Sequence, residues 1–182
     1  EGRSFRDFVQ QEICAPYGID DLWIGIPDEV EPRIARLIDD LGQKAPPPGT
    51  ALEKAMPFEI RLAPDVFELP QVRRATLAGV GGIFTARSLA RFYAILANGG
   101  TLDGKRLLSA ERVEMCCHLR PGGTLPDPVF FGMPMPLGEG GYWMYDGQSA
   151  LTLAFGSESA IGNPGAGGSL AWADPRTGLA VA

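Results

Sequence analysis

The stretch Ile161-Gly162-Asn163-Pro164-Gly165-Ala166-Gly167-Gly168-Ser169-Leu170 places four glycines within seven residues. A backbone so bare of side chains is used where another group approaches closely or where φ turns positive. Two readings follow. One is a strand edge whose N–H groups hold a substrate carbonyl or oxyanion; the other is a glycine-rich turn leading into a strand. A phosphate-binding loop is excluded, because it needs Gly-Lys-Ser/Thr and no lysine lies near. Gly167-Gly168-Ser169-Leu170-Ala171 comes close to a nucleophile elbow, yet Ala171 replaces the final glycine. Trp172-Ala173-Asp174-Pro175 then reads as a strand end and turn, where an elbow requires a helix. Ser169 is not read as a nucleophile.

The rest of the chain divides by pattern. Residues 1–19 form a short amphipathic helix, with Ser4 and Asp7 in a capping arrangement and Phe5, Phe8, Val9, Glu12 and Ile13 as its stripe. Pro16 and Gly18 end it. Residues 20–78 show little period and are broken by Pro46-Pro47-Pro48-Gly49, which predicts an irregular excursion with one short helix around Pro32–Leu41. Stretches of this kind serve as lids or pocket walls. Residues 79–120 are helical: Thr85 caps a helix with Leu89, Phe92, Tyr93 and Leu96 on one face, closed by Asn98-Gly99-Gly100. Asp103-Gly104 predicts a tight hairpin turn, and Ser109 caps a second helix to about Leu119.

Residues 121–182 read as short antiparallel strands at Val129–Met133, Gly141–Tyr145, Ala150–Phe155, Gly168–Ala173 and Leu179–Ala182. Asp174-Pro175-Arg176-Thr177-Gly178 is the turn between the last two. Helices first and strands later give an α+β class. The 24 glycines and 16 prolines among 182 residues favour turns over a helical bundle. The chain stops inside an apolar strand, which predicts a piece of a larger fold.

A net charge of −6 argues against nucleic acid or an anionic membrane surface as partner. No apolar run reaches the length of a membrane span. Cys14, Cys116 and Cys117 cannot form a disulfide framework, so a reducing, cytoplasmic home is expected, while a secreted one stays open because any leader would precede Glu1. One histidine, His118, beside that cysteine pair lacks the spacing of a metal site, and no metal or other cofactor is expected. Cys116-Cys117-His118 reads as the buried end of a helix. Tyr142, Trp143, Tyr145, Phe155 and Trp172 serve either as core or as a substrate cleft.

No serine is followed three residues later by lysine, no tyrosine two residues later by asparagine, and the lone histidine makes a Ser-His-Asp or Cys-His set improbable. The chain by itself contains no complete catalytic machine.

Four stretches in order nevertheless carry a family pattern. They are Gly2–Phe8 through Ala15-Pro16-Tyr17-Gly18-Ile19; Gly81–Phe92; Leu102-Asp103-Gly104-Lys105-Arg106-Leu107-Leu108-Ser109; and Gly162–Ser169 with Ala173-Asp174-Pro175. The chain resembles the C-terminal half of the serine β-lactamase-like family, which includes class C β-lactamases, family VIII carboxylesterases and DD-peptidases. The resemblance implies a β-lactamase/transpeptidase-like fold, incomplete in this chain. It also implies a serine nucleophile in Ser-x-x-Lys and a Tyr-x-Asn tyrosine, both upstream of Glu1. The family's third motif, Lys-Thr-Gly or His-x-Gly, falls on Asn163-Pro164-Gly165, and the next residue, Ala166, would give an N–H to the oxyanion hole. Asn163 departs from the usual Lys or His: its amide donates a hydrogen bond but brings no charge for a carboxylate. The expectation is part of a serine hydrolase acting on small-molecule esters or amides through an acyl-enzyme, inactive as this chain alone and partnered by the missing N-terminal part. Two alternatives stay open: a non-catalytic binding or scaffold relative, and an unrelated α+β domain.

Overall fold

The computed structural model describes residues 2–38, 44–59, 62–147, 152–165 and 167–182. Its first helix starts as α1 (Phe5–Phe8), passes through a π-helical stretch at Val9–Cys14 and ends as α2 (Ala15–Tyr17). Ser4 Oγ accepts the Asp7 N–H at 3.1 Å, the cap that the sequence predicts. Pro16 has no N–H for the carbonyl four residues back. The ladder around it widens, and the Ala15 N–H reaches Gln10 O. Burial therefore falls on Val9, Cys14 and Tyr17, while Phe5 and Phe8 of the expected stripe are exposed. Gly18, at φ +60°, closes the helix.

Strand β1 (Leu22–Ile24) follows at once, inside the stretch expected to be irregular. It pairs antiparallel with β2 (Gly82–Phe84), Trp23 opposite Ile83. Between them lie a 3-10 helix at Asp28–Arg33 and short helices α3 (Ala51–Ala55), α4 (Pro64–Phe67) and α5 (Pro70–Arg74). The helix expected around Pro32–Leu41 is displaced: Ile34 leaves the 3-10 helix in extended conformation, residues 34–38 are not helical, and 39–41 lie outside the described residues. Three acids at Asp28, Glu29 and Glu31 suit the earlier start, since they meet the positive end of the turn.

Helix α6 (Ala86–Ala97) begins where Thr85 Oγ1 accepts the Ser88 N–H. Strands β3 (Thr101–Leu102) and β4 (Lys105–Arg106) form a hairpin across Asp103 and Gly104, both at positive φ as a two-residue turn of this hand requires. Ser109 caps α7 (Ala110–Cys116), which stops three residues short of the expected Leu119. Leu119 instead bridges Gly138. At this helix end Cys116 is buried, Cys117 is half-buried and His118 is exposed, so the triplet is only partly interior.

The last third builds one antiparallel sheet from β5 (Trp143–Met144), β6 (Ile161–Pro164), β7 (Leu170–Asp174) and β8 (Leu179–Val181), in that order. The expected strand at Val129–Met133 is a turn. There the Asp127 carboxylate accepts the Val129 and Phe130 N–H groups, and the Asp127 carbonyl accepts that of Gly132. Of the strand expected at Ala150–Phe155, Leu153–Phe155 is a 3-10 helix and 150–151 lie outside the described residues. Strand β7 is buried on both faces. Ala171 and Ala173 pack on Tyr93, Leu96 and Ala97 of α6, while Trp172 packs on Phe155 and Ala160. Trp143 and Tyr145 join the second cluster, and Tyr142 stacks edgewise on Tyr93, so the aromatic group is core.

Candidate functional site

The glycine-rich segment is the hairpin joining β6 to β7. Asn163 stands opposite Ala171 and Pro164 opposite Leu170. Gly165 donates its N–H to Ser169 O at 2.7 Å, and Gly168 donates to Gly165 O at 3.0 Å. The reading as a glycine-rich turn leading into a strand is met. Gly162 is the residue the sheet cannot replace. A Cβ there would lie 2.4 Å from Ala171 O and 2.5 Å from the Trp172 Cβ across the pair. At Gly165 the same test gives 3.3 Å to Ser169 O, a tight but smaller conflict. Asn163 and Gly165 are exposed and Pro164 is half-buried. Ala166 lies outside the described residues.

Beside this turn, Ser169 borders a cavity of about 470 Å³. Its other walls come from the excursion, through Trp23, Val30, Ile34, Phe67 and Val72, and from Val80 to Thr85 around β2. Sequence reasoning expected the excursion at 20–78 to wall a pocket but named none of these residues. The only local signal was a pair of short apolar triplets, Leu22-Trp23-Ile24 and Gly82-Ile83-Phe84, sixty residues apart.

Compared with known proteins, the whole chain, residues 1–182, matches the family model described as Beta-lactamase. The chain belongs to the β-lactamase family. Over 193 aligned residues it is 31% identical to the esterase/beta-lactamase LipL of Mycobacterium tuberculosis, covering 100% of this chain and 42% of that protein. A novel penicillin-binding protein homolog from Caulobacter crescentus superposes with a TM-score of 0.77 at 29% identity, over 98% of this chain and 46% of its own. A family VIII carboxylesterase gives 0.79 at 26% identity, over 98% and 45%. This β-lactamase-family chain thus spans less than half the length of the relatives it matches. The expected β-lactamase/transpeptidase-like α+β fold is borne out.

The guanidinium groups around the β-lactamase-family cavity are paired. Arg33 donates to the Asp21 carboxylate at 2.8 Å, and the side-chain hydrogen bond from Arg33 is the main cause holding that carboxyl below its usual range. Arg73 is paired with Glu31, and Arg74 with Asp28 at 2.6 Å. Glu68 accepts the Leu37 N–H at 2.7 Å. Trp23 Nε1, Arg73 Nε and Glu31 Oε2 are buried with no hydrogen-bond partner among the described residues, each a cost of about 1–3 kcal/mol carried by this wall. Burial pushes the Cys14 thiol up to about 11, and Cys117 likewise, which removes both as nucleophiles near neutral pH. Among the described residues no three His, Cys, Asp or Glu are grouped to hold a metal ion, and no helix is long and apolar enough to cross a membrane.

Proposed function

We propose that this chain is the part of a serine hydrolase that supplies the strand beside the nucleophile and one oxyanion-hole N–H, for transfer of ester or amide acyl groups. Asn163 contacts the substrate through its amide. Pro164 and Gly165 leave the strand end low enough for an acyl group to lie against it, and the Ala166 N–H faces the oxyanion. The Gly165 N–H is committed to Ser169 O and is not the donor. The nucleophilic serine, the Ser-x-x-Lys lysine and the Tyr-x-Asn tyrosine belong to the part of the fold that this chain does not span.

In the reaction the serine Oγ forms a bond to the acyl carbon while its proton passes to the lysine–tyrosine pair. The carbonyl electrons move onto oxygen, where two N–H donors hold them; each such donor contributes about 3 kcal/mol in the transition state. Collapse expels the alcohol or amine, which takes that proton, and water then cleaves the acyl-enzyme by the same steps in reverse. No metal or nucleotide enters.

The observation that carries this reading is a glycine-turn hairpin on a sheet of this family, with a cavity opening beside it at Ser169. The test is a fluorophosphonate probe on the full-length protein: labelling of one serine, with loss of ester turnover, is expected. The second reading, a binding or scaffold protein without chemistry, draws on Asn163, which offers no charge where the family carries Lys or His. It predicts no labelling.

A further inference from the structure

Resting on the acyl-transfer reading above, we propose that the cavity beside Ser169 is a specificity pocket for the acyl half of the substrate. It selects uncharged, apolar acyl groups of several carbons over both acetyl and carboxylate-bearing ones.

Three observations converge on that chemistry. The first is size: about 470 Å³ lies in the range of small-molecule pockets and far exceeds what an acetyl methyl fills. The second is the lining. Val30, Ile34, Phe67 and Val72 form apolar walls, and the lining residues Leu37, Val80 and Phe84 remain exposed to water. Covering such side chains with an apolar ligand is favourable in proportion to the area removed from water. The third is charge. The cavity's two guanidinium groups, Arg33 and Arg73, are each neutralised by a carboxylate, Asp21 and Glu31. Glu68 adds a carboxylate that is held by a backbone N–H and not by a cation among the described residues. A second carboxylate entering with the substrate would be desolvated against that negative charge with no cation to meet it. Asn163 on the hairpin adds none.

The experiment uses the full-length protein and 4-nitrophenyl acetate, butyrate, hexanoate and octanoate, so that only the acyl group changes. From acetate to hexanoate kcat/KM is expected to rise at least tenfold, well below the roughly 250-fold that four fully buried methylenes, at about fourfold each, would compound to. Val30→Trp and Val72→Trp each fill the cavity and bring the hexanoate-to-acetate ratio close to one. Leu125→Ala, at an exposed residue that does not line the cavity, keeps the wild-type ratio. Asp21→Asn releases Arg33 and is expected to raise turnover of 4-nitrophenyl hydrogen glutarate relative to butyrate at least threefold. A flat series in a protein that turns over acetate overturns the proposal. So does an unchanged ratio in both filled variants when their melting temperatures match the wild type.

If no ester is turned over and no serine labels, the hydrolase reading fails on its own. The pocket's chemistry is then read from intrinsic fluorescence, because Trp23 stands in the wall. Titration with methyl octanoate should give a saturable change that is absent in Trp23→Phe and in Val30→Trp, whereas no saturable change overturns the pocket as well.

Discussion

The sheet with its helix and the excursion at 20–78 keep their shapes by different means. Around β6, β7 and α6 the side chains Ile161, Ala173 and Ile95 reach 0% exposure, with Phe155 at 1%. The excursion leaves Leu37, Ile38, Phe58, Leu62, Leu69 and Leu77 exposed and is tied down by Arg73–Glu31, Arg74–Asp28 and the Ile26 N–H on Arg73 O. One region is fixed by packing, which tolerates no gap and no excess. The other is held by a few buried side chains such as Ile26 and Val30, by the largely buried Arg73–Glu31 pair and by the exposed Arg74–Asp28 pair, which contributes little to stability, and it leaves a cavity beside the hairpin. The contrast teaches where a protein of this fold keeps its rigidity and where it keeps its room.

Paired substitutions test that contrast by chemical denaturation of the full-length protein. The largest effect is expected for Phe155→Ala, at about 4 kcal/mol lost, against less than about 0.5 kcal/mol for Phe58→Ala in the excursion. Equal losses would mean that the excursion packs as tightly as the sheet. Next comes Gly162→Ala, at about 3 kcal/mol, because the added methyl meets backbone and Trp172 across the strand pair. Gly79→Ala, with nothing within 4 Å of the new carbon, should be close to neutral.

The third pair concerns pH. Burial raises the Asp174 carboxyl, but hydrogen bonds from Ser159 and Ser157, the Arg176 N–H and Thr177 outweigh it and hold the group down at about 2. Its contribution is therefore complete above the unfolded value near 4 and is lost as pH falls from there through 2, about 2 kcal/mol in all. Asp174→Asn should remove that acid-side slope from stability curves, and a slope that persists would place it elsewhere. The smallest effect is expected for Arg74→Ala, within about 0.5 kcal/mol and smaller still in added salt.

How much of this was legible in the sequence follows the same division. Helix α6 could be read because its cap Thr85, its stripe and its stop at Asn98-Gly99-Gly100 are all local. So could the turn at Asp174–Gly178 and the glycine turn leading into β7, whereas strand β6 before it was not among the expected strands. Strand β1 could not: it has three residues, and its partner lies sixty positions on, so nothing in either triplet names the other. The turn at Asp127 defeated an apolar pattern with one carboxylate that captures two N–H groups. Asn163 and Gly165 stand at the end of β6 and in the turn after it. The demand at Gly162 needed the register across β7, and the cavity needed the return of the excursion onto β2.

The π turn in the first helix has a consequence for length. Val9 and Cys14 are five apart yet share one buried face, which an ordinary helix gives to residues four apart. The turn thus absorbs one supernumerary residue. Removing Gln11, which is exposed there, would draw the turn toward the ordinary spacing, with the gap that Pro16 leaves in the ladder remaining. A one-residue deletion, which would turn every side chain of β7 beyond it to the opposite face, is expected to disturb the core less at this joint.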